Sequence, residues 1–263
     1  MSASLQEDEL AVLREQGFVV ARQFADPAEV AALRALAERH LREHVAPIEY
    51  EADLRYPGAP ESRNAEGGLT VRRLLSAYGR DPLFAQWATN ARIGQSLARY
   101  FGETPVLSTV HHNCVMTKHP AYGSLTGWHQ DIRYWSFSDT DLMSCWLALG
   151  DENWDNGGLS FIPGSHAAAF KPAQFDEQKF FRDDAPENAA WIARAGPAWV
   201  TSTMTTPSSS SVPRWMKLSI DTPASRIAVA ISARTPIRSR TCQCAVACCS
   251  NRQRTSRSIC AAR

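Results

Sequence analysis

His129 and Asp131 stand one residue apart, and on a strand or strand end alternate side chains share a face. An imidazole and a carboxylate projecting together can hold a first-row metal. Two imidazoles and one carboxylate around iron leave open positions, the arrangement of the non-heme Fe(II) oxygenases. A bare His-x-Asp also arises by chance, as a surface pair or a satisfied core histidine. The neighbours favour a site. Gly127 and Trp128 precede the pair, and Tyr134, Trp135 and Phe137 follow it. An apolar run over 142–149 reads as a strand, Asn156-Gly157-Gly158 as a hairpin-type turn, and 159–162 as a second strand stopped by Pro163-Gly164.

The elements that must position the pair begin upstream. Residues 5–16 read as a helix ending at Gly17, and Phe18-Val19-Val20 as a small strand. Asp26-Pro27 is an N-cap followed by proline at the first helical position, opening a helix to about His44. His40 and His44 lie four apart on it and read as solvated, with no acidic or cysteine partner near. Residues 46–68 are a loop rich in Pro, Gly and charge. Residues 71–78 begin a helical patch, Asp81-Pro82 starts another through Trp87, and 91–101 form a third stopped by Gly102. Residues 106–117 are strand-like, and His111 and His112 on them point oppositely, so both read as structural or supporting groups.

Tryptophan and glycine then complete a set of separated blocks. Trp-His-Gln-Asp at 128–131, Asp-Leu-x-x-x-Trp at 141–146, the Asn-Gly-Gly turn and Ile-Pro-Gly-Ser-His at 162–166 resemble the phytanoyl-CoA dioxygenase family, in the family's order. The likeness spans roughly residues 8 to 200. It implies a mainly β protein with flanking helices, on a double-stranded β-helix of jelly-roll, cupin-like form. It implies Fe(II) and 2-oxoglutarate as cofactors, with O₂ and a small organic molecule as substrates. The reaction would couple decarboxylation to succinate and CO₂ with hydroxylation. His129 and Asp131 would be metal ligands, together with a third histidine not identifiable here. Lys118, ending the strand before the metal motif, resembles a lysine that helps hold the 2-oxoglutarate carboxylate, and Trp146 a tryptophan beside it. Both also have plain readings, as a loop lysine and a core tryptophan. Arg133, Tyr134 and Trp135 would line the substrate entrance, although Arg133 could equally pair with Asp139 or Asp141. His166 reads as a structural hydrogen-bonding group. Asp131 argues against the halogenating relatives, where a small residue makes room for halide.

The domain so implied covers residues 1–200: a helical part over 1–104, the metal-motif strands over 105–166, and a covering loop and helix over 167–200. The formal charge of +1 names no partner, and no nucleic-acid or membrane partner is expected. The acidic N-terminus lacks an apolar signal core, so a cytoplasmic location is expected.

Beyond Pro197 the chain changes character. Gly196 is the last glycine, Phe181 the last phenylalanine and His166 the last histidine. Residues 201–263 carry nine Arg and Lys217 against the single acid Asp221, and five of the seven cysteines. The spacing of Cys242, Cys244, Cys248, Cys249 and Cys260 fits no ordinary zinc site, so neither metal nor stable disulfide is expected there. The segment reads as a low-complexity, disordered basic tail without the strands that close a jelly roll, so the fold is expected to be incomplete. Two readings of it stay open: a native basic tail of the kind that binds nucleic acid, and a frameshift near Gly196 or Pro197, which is the favoured one. In one shifted frame, Met204-Thr205 and Met216-Lys217 each yield a stop. The other frame is open at both places and permits histidine within 201–207. With a ligand missing, this chain should turn over little 2-oxoglutarate. The alternative is a non-catalytic jelly-roll binding module, or a remnant that has lost its chemistry.

Overall fold

The computed structural model describes residues 4–110, 113–135, 137, 141–152 and 156–197, with two further backbone segments, Arg226–Arg234 and Cys248–Cys249. Helix α1 spans Glu7–Gln16 and α2 spans Pro27–Arg42. Strands β1 (Ile48–Tyr50) and β2 (Val71–Leu75) follow, then helices α3 (Ala77–Arg80), α4 (Pro82–Ala88) and α5 (Ala91–Phe101). Next come β3 (Val106–Ser108), β4 (Cys114–Lys118), β5 (Leu142–Ala148) and β6 (Leu159–Phe161). Helix α6 (Pro186–Ile192) and strands β7 (Gly196–Pro197), β8 (Arg226–Arg234) and β9 (Cys248–Cys249) complete the order. The described residues mix helix and sheet rather than being mainly β.

Local signals start the helices as their residues require. The Asp26 side chain accepts from the Ala28 amide at 2.8 Å ahead of Pro27. Asp81 does the same for Leu83 and Asn90 for Arg92, both at 2.9 Å. These oxygens satisfy amides that a helix leaves without partners.

Six strands form one antiparallel sheet in the order β1-β2-β4-β8, with β5 on the far edge of β8 and β3 extending the β4 edge. A smaller sheet runs β7-β6-β9. The two faces of the main sheet differ by the two-residue alternation of its strands. Leu74, Val115, Met143 and Leu147 point into the core, packed with Leu10, Leu33, Phe84, Trp87 and Leu97 of the helices. Arg73 and Leu75, Cys114 and Met116, and Trp146 line a cavity on the other face. Trp128, Ile162, Phe175 and Phe181 form a second buried cluster, with Phe170 and Trp191 packed against it.

Several expectations are corrected. Residues 71–75 are a strand, not a helical patch, because Val71–Leu75 pairs with β1 on one edge and β4 on the other. Residues 18–20 form no strand, and Phe18 instead stacks on Phe161 with ring centroids 4.5 Å apart. Residues 106–117 are two strands. His40 is buried against Phe84 rather than solvated. Arg226–Arg234 of the basic tail is a sheet strand, paired on both edges. Its Ile227, Val229 and Ile231 alternate with Ala228, Ala230 and Ser232, the period a sheet accepts. His111 and His112, Asp139, and Cys242, Cys244 and Cys260 lie outside the described residues.

Candidate active site

The cavity holds about 360 Å³. Its floor is the sheet face just described. Its opposite wall is the irregular segment leading from β4 to a short 3-10 turn at Asp131–Tyr134. His129 and Asp131 project from that wall, and both are nearly buried. His129 Nε2 lies 3.1 Å from Asp131 Oδ1. Two ligands bound about 2.1 Å from a metal, at a right angle, sit roughly 3.0 Å apart. The pair is therefore spaced as adjacent ligands of one metal.

The tautomer supports the same reading. His129 Nδ1 is 2.8 Å from the Gly127 carbonyl oxygen. A carbonyl only accepts, so Nδ1 carries the proton, and in the neutral ring Nε2 presents a lone pair. That lone pair faces a carboxylate oxygen. Two acceptors hold this distance when a cation lies between them or a proton charges the ring. Among the described residues no group of three or more His, Cys, Asp or Glu is placed to hold a metal. The described residues thus supply two ligands there and no third.

Of the other expected residues, Trp146, Tyr134 and Trp135 line the cavity. The Trp146 indole N–H donates to Glu152 Oε1 at 3.1 Å, which fixes its ring. The Tyr134 hydroxyl donates to the Gln178 carbonyl, and its ring meets His129 edge-on at 5.5 Å. Lys118 is not among the lining residues, and its buried Nζ donates to the Ser124 carbonyl. Arg133 is likewise not among them. Its Nε donates to Gln130 Oε1 at 2.8 Å, and its guanidinium lies 3.6 Å over the Phe175 ring. His166 bridges to the Arg14 carbonyl at 3.1 Å, a structural bond.

The structure adds groups that the sequence reading did not find. Arg72, Arg73 and Glu49 of β1 and β2 line the cavity with Tyr56 and Phe180. Arg72 Nη1 donates to Glu49 Oε1 at 3.0 Å, while Arg73 Nε sits 3.4 Å from the same oxygen. Burial works against the Arg73 charge. The Cys114 thiol and the Glu49 and Asp131 carboxylates outweigh it and raise its pKa, so the guanidinium stays cationic. The signal was present: read as a strand, Val-Arg-Arg-Leu-Leu puts Arg73 and Leu75 on one face. Burial pushes the Cys114 thiol on the neighbouring strand up to about 11. Phe180 packs over Gly127, where an added Cβ would come within 2.6 Å of its ring.

A helix-backed antiparallel sheet with a His-carboxylate pair over its inner face has counterparts among solved structures. EctD from S. alaskensis, solved with 2-oxoglutarate and 5-hydroxyectoine, superposes with a TM-score of 0.59 at 17% identity, over 89% of this chain and 72% of that one. AviO1 from Streptomyces viridochromogenes Tue57 does so with a TM-score of 0.57 at 18% identity, over 91% and 99%. At these identities the likeness establishes fold. The family is shown by sequence: a model of phytanoyl-CoA dioxygenase (PhyH) matches residues 13–205, and the chain belongs to that family. Ectoine dioxygenase of Bordetella bronchiseptica is 27% identical over 62% of this chain and 50% of its own length. The human peroxisomal phytanoyl-CoA dioxygenase is 25% identical over 61% and 47%. The chain spans about half the length of the curated relatives it matches.

Proposed function

We propose that the cavity is the site of an Fe(II)- and 2-oxoglutarate-dependent dioxygenase acting on a small organic substrate, in a chain that holds the metal through only two identified ligands. The observation that carries this is the His129–Asp131 pair, spaced 3.1 Å with the imidazole proton committed to Gly127. His129 Nε2 and Asp131 Oδ1 would hold the iron. Bound iron supplies the oxygen activation by which 2-oxoglutarate decarboxylation oxidises the substrate. The chain's residues then bind and shield. Arg73 offers a cation to an anionic cosubstrate, and is better placed than Lys118 because it lines the cavity and Lys118 does not. Trp146 gives a fixed wall on the sheet side. Tyr56, Tyr134, Trp135 and Phe180 wall the opening and exclude water from the reacting centre.

The frameshift reading accounts for the missing ligand, and the family match ending at residue 205 supports it. A second reading rests on β8. Its pairing along both edges favours a genuine tail, and with it a jelly-roll module that binds a small molecule without turnover.

The test has two arms. Co(II) titration of the full chain should show one site, lost in His129→Ala and in Asp131→Ala. Binding unchanged by either substitution would remove the site. In the second arm, succinate formation with iron, ascorbate and a panel of small substrates should be near background for this chain. It should appear in a version restored to the open frame from codon 197. Robust succinate from the unrestored chain would overturn the frameshift reading.

A further inference from the structure

The segment that carries the metal pair has no ladder to hold it. Between the end of β4 at Lys118 and the turn starting at Asp131, no residue belongs to a helix or strand. Yet Ser124, Gln130 and Asp131 are almost wholly buried. Backbone in such a segment must be positioned by side chains. The bonds converge on Ser124. Its amide and its hydroxyl both donate to Glu51 Oε2, at 3.1 and 2.6 Å, and its carbonyl accepts from Lys118 Nζ. The next residue, Leu125, donates its amide to the Pro57 carbonyl at 2.7 Å. Four residues separate Ser124 from His129, and the last stretch is fixed by the Gly127 carbonyl on the imidazole.

Glu51 is fully buried, in the short 3-10 turn after β1. Its Oε2 lies 3.6 Å from Arg72 Nε, and Arg72 in turn bonds Glu49, which lies beside Arg73 in the cavity. A chain of alternating charges therefore runs from the cavity cation to the anchor of the metal-bearing segment. A buried carboxylate is costly unless paired and hydrogen-bonded. Here Oε2 is held by Ser124 and paired with Arg72, while Oε1 is buried without a hydrogen-bond partner, so the carboxylate is anchored through one oxygen.

We infer that Glu51 and Ser124 are positioning residues for the metal pair, with Lys118 as the third member of the anchor. The inference rests on the metal reading proposed above. Glu51 touches neither metal nor substrate. It acts through Ser124 on where His129 and Asp131 sit.

The experiment uses the full chain and Co(II) alone, followed by its visible absorption, with thermal unfolding measured in parallel. Ser124→Ala and Glu51→Gln should each weaken Co(II) binding about 10-fold or more, in the range typical of residues supporting metal ligands, and shift the Co(II) band. Glu51→Gln keeps the size of the side chain, so it carries the test if Ser124→Ala fails to fold. A merely structural role would lower the melting temperature while the folded fraction bound Co(II) with unchanged affinity and spectrum. That result overturns the inference, provided Asp131→Ala abolishes binding in the same assay. If Asp131→Ala also binds normally, the metal reading falls and takes the inference with it, and the two failures are told apart by that one variant.

Discussion

A backbone carbonyl decides what the His129 ring can do. By accepting the Nδ1–H hydrogen bond, the Gly127 carbonyl leaves the Nε2 lone pair facing Asp131. The same residue type inside the helical core meets a different fate. His40 is 6% exposed, and its Nδ1 is buried without a hydrogen-bond partner. Burial, and then the charges of Arg80 and Arg39, push its pKa below the usual histidine value. Burial lowers His166 likewise. A lowered folded pKa means the unfolded chain takes up more protons as the pH falls through about 6.5. Stability from these rings is present above that pH and is lost as the solution is acidified. The melting temperature should therefore fall between pH 7.5 and pH 5, and His40→Gln should flatten part of the slope. A slope unchanged in the variant would place the acid sensitivity elsewhere.

At the scale of elements, α1 is joined to the rest through its end as well as through Leu10 and Leu13 in the core. Gly17 closes that helix with φ of +83°, a left-handed conformation that glycine adopts without strain. It also lies close to the His166 ring, and a Cβ there would meet Nδ1 at 2.3 Å. Gly17→Ala should therefore destabilise the chain by about 1–3 kcal/mol from the backbone alone, and more from the contact. Urea unfolding checks it, and a double variant with His166→Ala should recover the contact's share. A midpoint unmoved by Gly17→Ala would refute the packing described. The β2 strand teaches a second lesson. Two adjacent arginines followed by two leucines fit a helix as well as a strand over five residues. Pairing with β1 and β4 decides the matter, and with it the direction of Arg73.

The whole molecule depends on β8. That strand stands between β4 and β5, so the sheet floor of the cavity is continuous only with it in place. Ala230 faces Cys114 on one side and Trp146 on the other. Proline there removes a ladder donor from an interior strand, and each buried backbone bond lost costs about 1–3 kcal/mol. Ala230→Pro should lower the melting temperature and speed amide exchange in β4 and β5. Unchanged exchange would show that the tail does not complete the sheet, and would strengthen the frameshift reading.

Spacing alone made the His129–Asp131 pair, the capped helices and the family blocks legible, because each rests on contacts within a few residues. The outlying histidine His166 was legible as structural for the same reason, from its place after a Pro-Gly turn. The cation of the cavity was not, since Arg72 and Arg73 are adjacent in sequence and only strand pairing turns Arg73 toward Asp131. Nor was the anchor at Ser124, which joins Glu51 to a residue 73 positions away. The tail looked like low-complexity chain because a strand with neighbours on both edges draws its order from them, and nothing in nine residues shows which edges will meet it. What the amino acids decided alone was the chemistry available. What the tertiary structure decided was which groups face one another, because burial and pairing join segments that sequence distance keeps apart.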